Sequence, residues 1–316
     1  MAGEMRAALF DRYGAPEVLY EGRVPVPVAK ADEVLVRVHG TSVNGGELYA
    51  RRGRLGILLG RRFPKRIGID FAGEVVQAAA TGRGPEVGAH VWGSLPRGRF
   101  GSAAEFVAVH VRQVARSPRG LDLVEASALP VGTTAITALR DKARLKPGER
   151  LLVRGGAGGV GYVAVQLGKA MGAHVTALAS AKNLDLVHDL GADEAFDYAT
   201  TGPAELGSFD VVMDTAGSSL PAYRRLLGPG GRMVSIAFDS PATVAYILGS
   251  VVFGSRRVRF FSGNPRHDLF RDLTAYVESG ALRPAVDTTR PLADIAGAHR
   301  ALEAGGVRGK HVVRVV

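Results

Sequence analysis

The chain has no cysteine. That absence excludes disulfides, cysteine nucleophiles and every thiolate metal site. Its eight histidines never fall at His-x-x-x-His or His-x-His spacing, so the paired-histidine pattern of zinc enzymes is missing too. No apolar run approaches the roughly twenty residues of a membrane-spanning helix. The longest candidate, Ala242–Phe253, is broken by Tyr246, Gly249 and Ser250. The opening MAGEMRAALF has no apolar stretch after a basic start, and the expectation is a cytoplasmic protein.

Acid is scarce relative to base. Asp and Glu number 30 against 40 Lys and Arg, a formal net charge of +10, and only seven of the 40 are lysine. The densest cluster is Arg51, Arg52, Arg54, Arg61, Arg62, Lys65 and Arg66, with no acid between them. It allows an anion site, for an acidic or phosphate-bearing substrate or for nucleic acid. The simpler reading is a solvated, arginine-rich loop, because the repeated aromatic interleaving that base stacking needs is missing.

What is present points to two domains, for which 316 residues are enough. Residues 1–120 are β-rich, with short runs at Glu33–Val38, Gly73–Val76 and Phe106–Val109 separated by Gly, Pro and polar residues. From about Leu121, apolar strands alternate with helical segments: LLVR, HVTAL, FDVVM at 209–213, RMVSIA at 232–237 and VRFF at 258–261. That alternation predicts a parallel sheet covered on both faces. After Gly263, Leu269, Leu273, Tyr276 and Val277 share a helical face, and HVVRVV closes the chain as a strand.

Residues 151–171 carry the strongest motif. Leu151-Leu152-Val153 leads into Gly156-x-Gly158-x-x-Gly161, and Val160, Val163, Ala164, Leu167 and Met171 then recur at helical spacing. Strand, glycine turn and helix form the context of a dinucleotide-binding motif. Backbone N–H groups of the turn approach a pyrophosphate, and the helix N-terminus favours its charge. The next strand, HVTAL, ends where NAD-binding units place a carboxylate for the ribose 2′-OH. Here Ala179-Ser180-Ala181-Lys182 follows instead. Ser180 can donate to a 2′-phosphate and Lys182 can neutralise it, so NADPH is the expected cofactor. Capping of the following helix by Ser180 or Asn183 is the structural alternative.

Further blocks stand in order along the chain. They are Val34–Val38, Ser42-Val43-Asn44, Gly68–Gly73, Gly101–Phe106, Leu129–Ala135, Gly191-Ala192-Asp193, Asp197-Tyr198 and Gly309–Val313. Together they resemble the medium-chain dehydrogenase/reductase superfamily, in its zinc-free, quinone oxidoreductase-like (zeta-crystallin-type) branch. The resemblance implies an α/β protein. A GroES-like, β-rich catalytic domain would comprise 1–120 and 265–316. A Rossmann domain with a doubly wound parallel sheet would span 121–264, with the active site in the cleft. Zinc-dependent relatives carry Cys in the region of Thr41–Asn44 and Gly-His-Glu where this chain reads Gly68-Ile69-Asp70. Without zinc there is no Lewis acid for an alkoxide, and the resemblance implies NADPH-dependent reduction of a quinone or an activated C=C bond.

The resemblance also implies roles. Asn44 and Tyr49 would lie beside the nicotinamide, Asn44 holding its ribose or a substrate oxygen and Tyr49 bonding a carbonyl and delivering a proton. Glu47 stands where the family has Asp. Thr134 would lie near the nicotinamide amide, Gly156, Ala157, Gly158, Gly159 and Val160 around the pyrophosphate, and Tyr198 beside the 2′-phosphate with Ser180 and Lys182. Ala216 and Gly217 would allow close approach, and Ile236 and Phe261 would wall the nicotinamide. Structural alternatives are a strand-end Asn44, a loop-packed Tyr49, a back-bonded Thr134, a half-buried strand Tyr198, and core roles for Ile236 and Phe261. Asp214 reads as structural. A homodimer paired through the VRFF edge strand is implied as well. Two other classes stay open: an NADPH-binding sensor or assembly protein with little catalysis, and a nucleic-acid binder using the arginine-rich surface. A biosynthetic reductase for a large or anionic intermediate is a narrower form of the main reading.

Overall fold

Strand β3 (Glu33–Ser42) organises the first half of the chain. Its Val34, Val36 and Val38 alternate inward and are fully buried, the period-2 pattern of a strand with one face in a core. In the computed structural model β3 sits in a sheet of order β15-β16-β3-β5-β6-β8, and β7 also pairs with β3. These partners are β5 (Asp70–Gln77), β6 (His90–Ser94), β7 (Phe106–His110), β8 (Val114–Arg116), β15 (Val286–Pro291) and β16 (Lys310–Arg314). A smaller sheet joins β2 (Leu19–Pro25), β1 (Glu4–Phe10) and β4 (Lys65–Arg66). Phe10, Phe71, Val75, Val91 and Val313 fill the common core. Each such burial contributes about 1.5–3 kcal/mol.

The structure describes residues 3–54, 60, 62–237, 241–252, 257–261 and 263–316. Arg61 of the basic cluster and Phe253 of the apolar run lie outside them. The chain divides into two compact units, Met1–Thr133 with Asn264–Val316, and Thr134–Gly263. The helix Leu123–Ala126 packs on β3 and β5 of the first unit.

The second unit is built on β9 (Arg150–Arg154), β10 (His174–Ala179), β11 (Glu194–Asp197), β12 (Phe209–Asp214), β13 (Leu227–Ser235) and β14 (Val258–Phe260). They pair in parallel in the order β11-β10-β9-β12-β13-β14. Counted from β9, this is the 3-2-1-4-5-6 order of a doubly wound dinucleotide-binding sheet. The order reverses between β9 and β12, so the crevice beyond their C-terminal ends is where such folds bind ligands. Along the inner strands Leu151–Val153, Val175–Ala179 and Val211–Met213 are buried, as strands covered on both faces require. Among the described residues no helix is long and apolar enough to cross a membrane.

Candidate functional site

The turn after β9 is built for a close backbone approach. Gly155 takes φ +75°, and the Gly155 and Gly156 N–H groups donate to Leu178 O at 3.0 and 2.8 Å. The helix Gly161–Ala170 then starts against the turn. A Cβ at Gly161 would come within 2.0 Å of Gly155 O, so only glycine lets the helix close on the strand. Among the described residues the N–H groups of Ala157, Gly159 and Val160 donate to no backbone carbonyl. These donors at a helix N-terminus fit a pyrophosphate.

At the end of β10, Ser180 is half-buried. Its Oγ is buried, makes no hydrogen bond and does not cap the helical turn that follows it. Asn183 makes no side-chain cap either. The capping alternative for both residues is thus not what the chain does. Lys182 is exposed on the same turn. Tyr198 N–H donates to Ala179 O at 3.0 Å, which brings residue 198 beside this turn. Its side chain is 58% exposed just beyond β11, rather than half-buried within a strand. The nearby Asp197 carboxylate accepts from Ala199 N–H at 3.0 Å and so serves its own turn.

Across the switch point, Asp214 is fully buried and tied to the protein. It pairs with Arg154 and accepts from Gly217 N–H at 2.9 Å and Ser235 Oγ at 2.8 Å. Arg154 also donates to Ser218 O at 2.7 Å and lies 3.6 Å from the Tyr223 ring centroid. Asp214 is structural, and Arg154, which the sequence reading overlooks, is its partner. Gly217 at φ +80° and the exposed Ala216 follow it. Ile236 and Phe261, both half-buried, come directly after β13 and β14. Thr134 is half-buried in the helix Gly132–Ile136. It is Thr133 whose Oγ1 bonds back to Pro130 O, at 2.9 Å.

The first unit places Asn44 at the N-terminus of the helix Gly45–Arg51. Its amide donates to Asp70 Oδ2 at 2.9 Å, Glu47 Oε1 at 3.1 Å and Ser42 O at 3.1 Å. Its Oδ1 accepts from Lys310 Nζ at 2.6 Å. Both amide hydrogens are therefore engaged, and one lone pair on Oδ1 is left for a ligand. Lys310 also donates to Val43 O at 2.9 Å and lies 4.0 Å from Asp70. Asp70 accepts from Ser94 Oγ at 2.5 Å and Ser42 Oγ at 3.2 Å. Glu47 accepts from Asn44 N–H and from Gly68 N–H, each at 3.2 Å. One ammonium thus serves two carboxyl groups, all three of them buried, while Asn44 is half-buried. Burial, against weaker help from Asn44 and Lys310, pushes the Glu47 carboxyl up to about 8. Burial likewise lowers Lys310. His299, 3.9 Å from Glu47, is driven down to about 3 by burial and by Arg51.

Tyr49 is half-buried, with the Arg54 guanidinium 5.3 Å from its ring centroid. Its hydroxyl has no hydrogen-bond partner among the described residues. The basic cluster needs a correction at its N-terminal end. Arg51 is not part of a solvated loop. It is fully buried and pairs with Glu303, which also holds Arg52 at 2.9 Å. Lys65 lies 4.8 Å from the Phe63 ring centroid. Burial withdraws Arg51 from any nucleic-acid surface, while Arg52 and Arg54 stay exposed. Among the described residues no group of three or more His, Cys, Asp or Glu is placed to hold a metal ion.

Comparison with known proteins agrees with this geometry. The family model for the alcohol dehydrogenase GroES-like domain matches residues 30–119, and that for zinc-binding dehydrogenase matches 190–313. A chloroplast envelope quinone oxidoreductase homolog of Arabidopsis thaliana is 31% identical, over 99% of this chain and 99% of the relative. A chloroplastic NADPH-dependent alkenal/one oxidoreductase of the same plant is 32% identical, over 98% of this chain and 79% of the relative. The structure of the quinone oxidoreductase from Coxiella burnetii superposes with a TM-score of 0.91 at 28% identity, covering 99% of this chain and 100% of that one. With its 3-2-1-4-5-6 parallel sheet and glycine turn, its Asn44 in the region of the zinc-ligand cysteine and its full-length likeness to these oxidoreductases, the chain belongs to the zinc-free, quinone oxidoreductase-like branch of the medium-chain dehydrogenase/reductase family and is an NAD(P)H-dependent oxidoreductase.

Proposed function

We propose that the protein is an NADPH-dependent reductase acting on a quinone or on the activated C=C bond of an enone or enoyl substrate. One observation carries the choice of NADPH. Where a carboxylate would select a free ribose 2′-OH, the chain has Ser180, with a buried and unpartnered hydroxyl, and the cation Lys182. Ser180, Lys182 and Tyr198 would hold the 2′-phosphate, and Gly156 to Val160 the pyrophosphate. Thr134, Ala216, Gly217, Ile236 and Phe261 would border the nicotinamide half.

The bound cofactor supplies the hydride. The residues supply orientation, exclusion of water and a proton. Asn44 has no amide hydrogen to spare, so its Oδ1 would accept from a hydroxyl, such as that of the nicotinamide ribose, rather than donate to a substrate carbonyl. Tyr49, with an unengaged hydroxyl, would donate to the substrate oxygen and protonate the enolate or quinol oxyanion, directly or through water. Two copies would pair along β14, an edge strand on which Phe260 is 43% exposed.

The test follows absorbance of NADPH, with NADH in parallel, across 1,4-benzoquinone, methyl vinyl ketone and a crotonyl thioester. Oxidation of NADPH at least tenfold faster than NADH at limiting cofactor is expected. Equal use of NADH would overturn the roles of Ser180 and Lys182. Tight NADPH binding without oxidation on any substrate would overturn the reductase in favour of a nucleotide-binding sensor.

A further inference from the structure

One cavity in the first unit takes no part in the site described above. Its volume is about 430 Å³, within the range of roughly 300–1,000 Å³ usual for small-molecule sites. Asn44, Glu47, Tyr49 and Asp70 do not line it. Its floor is apolar: Phe10, Ile67, Leu95 and Val107, all buried. Its rim is basic, carrying Lys30, Lys65, Arg66 and Arg99 beside one carboxylate, Glu33.

Of these cations, Lys30, Arg66 and Arg99 are poorly compensated. Among the described residues no carboxylate lies within ion-pair distance of Lys30 or Arg66. Arg99 has only Glu33, at 3.8 Å, too far for a hydrogen bond. The other Glu33 oxygen accepts the Lys30 backbone N–H at 3.1 Å. Arg66 is solvent-accessible yet crowded by protein and by Arg99, and both burial and that like charge hold its guanidinium below the ordinary arginine range. Like charges gathered over an apolar concavity repel one another, and an anion between them reverses the sign of the interaction.

We propose that this cavity is a binding site for a small organic anion, with its carboxylate or phosphate between Arg66, Arg99 and Lys30 and its aromatic or short acyl body on Phe10, Ile67, Leu95 and Val107. Neither half of the site suffices alone. The four floor side chains are apolar and Glu33 is tied to the Lys30 N–H, so an uncharged ligand is poorly oriented, and the rim is too exposed to retain a bare ion against salt.

The probes are 1-naphthoate and octanoate, titrated calorimetrically into the full-length protein at low and high salt. Their uncharged amides and inorganic phosphate serve as comparisons. At least one acid should bind ten or more times more tightly than both its amide and phosphate, and should weaken with salt. The double variant R66Q/R99Q should lose at least tenfold in affinity for that acid. Both arginines are exposed, so thermal unfolding and NADPH affinity of the variant should match wild type. Equal binding of acid and amide, or of acid and phosphate, would overturn the proposal. So would absence of binding, undiminished binding by the double variant, or displacement of the acid by the substrate that the enzyme reduces.

Discussion

The buried Glu47 should make the stability of the first unit fall as pH rises through neutrality. Its carboxyl titrates near 4.5 in the unfolded chain and about 8 in the fold. The folded state therefore binds the proton more tightly, and stability declines with pH between those values. His299 acts in the opposite sense. Depressed from 6.5 to about 3, it makes stability rise with pH over that interval, so the two contributions oppose each other below 6.5. Lys310, lowered from 10.5, raises stability with pH on the alkaline side. Over the interval from 6.5 to 8, the Glu47 contribution is the difference between wild type and Glu47→Gln, which keeps Lys310 and His299. At 1.36 kcal/mol per pH unit, it should cost about 2 kcal/mol. Trp92 is the only tryptophan and is fully buried in the same unit. Its fluorescence in urea, measured at pH 5.5, 6.5, 7.25 and 8.0, reads the relevant transition. Glu47→Gln keeps the shape and removes the proton. With its amide oxygen kept toward Asn44, it sacrifices one hydrogen bond, that from Gly68 N–H, for about 1 kcal/mol at every pH. The variant should therefore already exceed wild type by about 2 kcal/mol at pH 6.5 and by about 3 kcal/mol at pH 8. Parallel curves for the two proteins would refute the neutral, buried carboxyl.

Three further outcomes follow from the other unit. Gly161→Ala drives a methyl group into Gly155 O; urea melts should show a loss of about 1–3 kcal/mol, and equilibrium titration should show NADPH binding weakened at least tenfold. Ser180→Asp places a carboxylate at the end of β10, so the KM for NADPH should rise at least tenfold while that for NADH holds or falls; an unchanged ratio would remove Ser180 from the 2′-phosphate site. Asp214→Leu strands the Arg154 guanidinium in the interior and should cost about 3–5 kcal/mol in denaturant melts of the second unit.

The nucleotide half of the site is legible in the sequence because it is local. Strand, glycine turn and helix lie within 151–171, and the residues expected to meet the cofactor follow the strand ends of a regular βα alternation. The first unit is different. Asn44 is visible as a motif residue, but its bonding is set by Asp70, 26 positions on, and by Lys310, 266 positions on. No periodicity joins those three. Glu47 reads as a minor exchange for aspartate, and only burial beside Asp70 makes it a neutral acid. Arg51 looks like the start of a solvated run because its acid, Glu303, is 252 positions away. Spacing reports what a helix or turn brings together, and it is blind to charges that meet through a sheet.

The strand that delivers Lys310 carries a lesson about the order of events during synthesis. β16 pairs with β3, and the whole of Thr134–Gly263 is translated between them. A nascent chain therefore holds β3, Asn44, Glu47 and Asp70 for most of its elongation without the ammonium that binds them together. The nucleotide-binding unit has all its strands in one contiguous stretch and is free to fold as soon as it emerges. The first unit must wait, unfinished, until the ribosome has made residue 310.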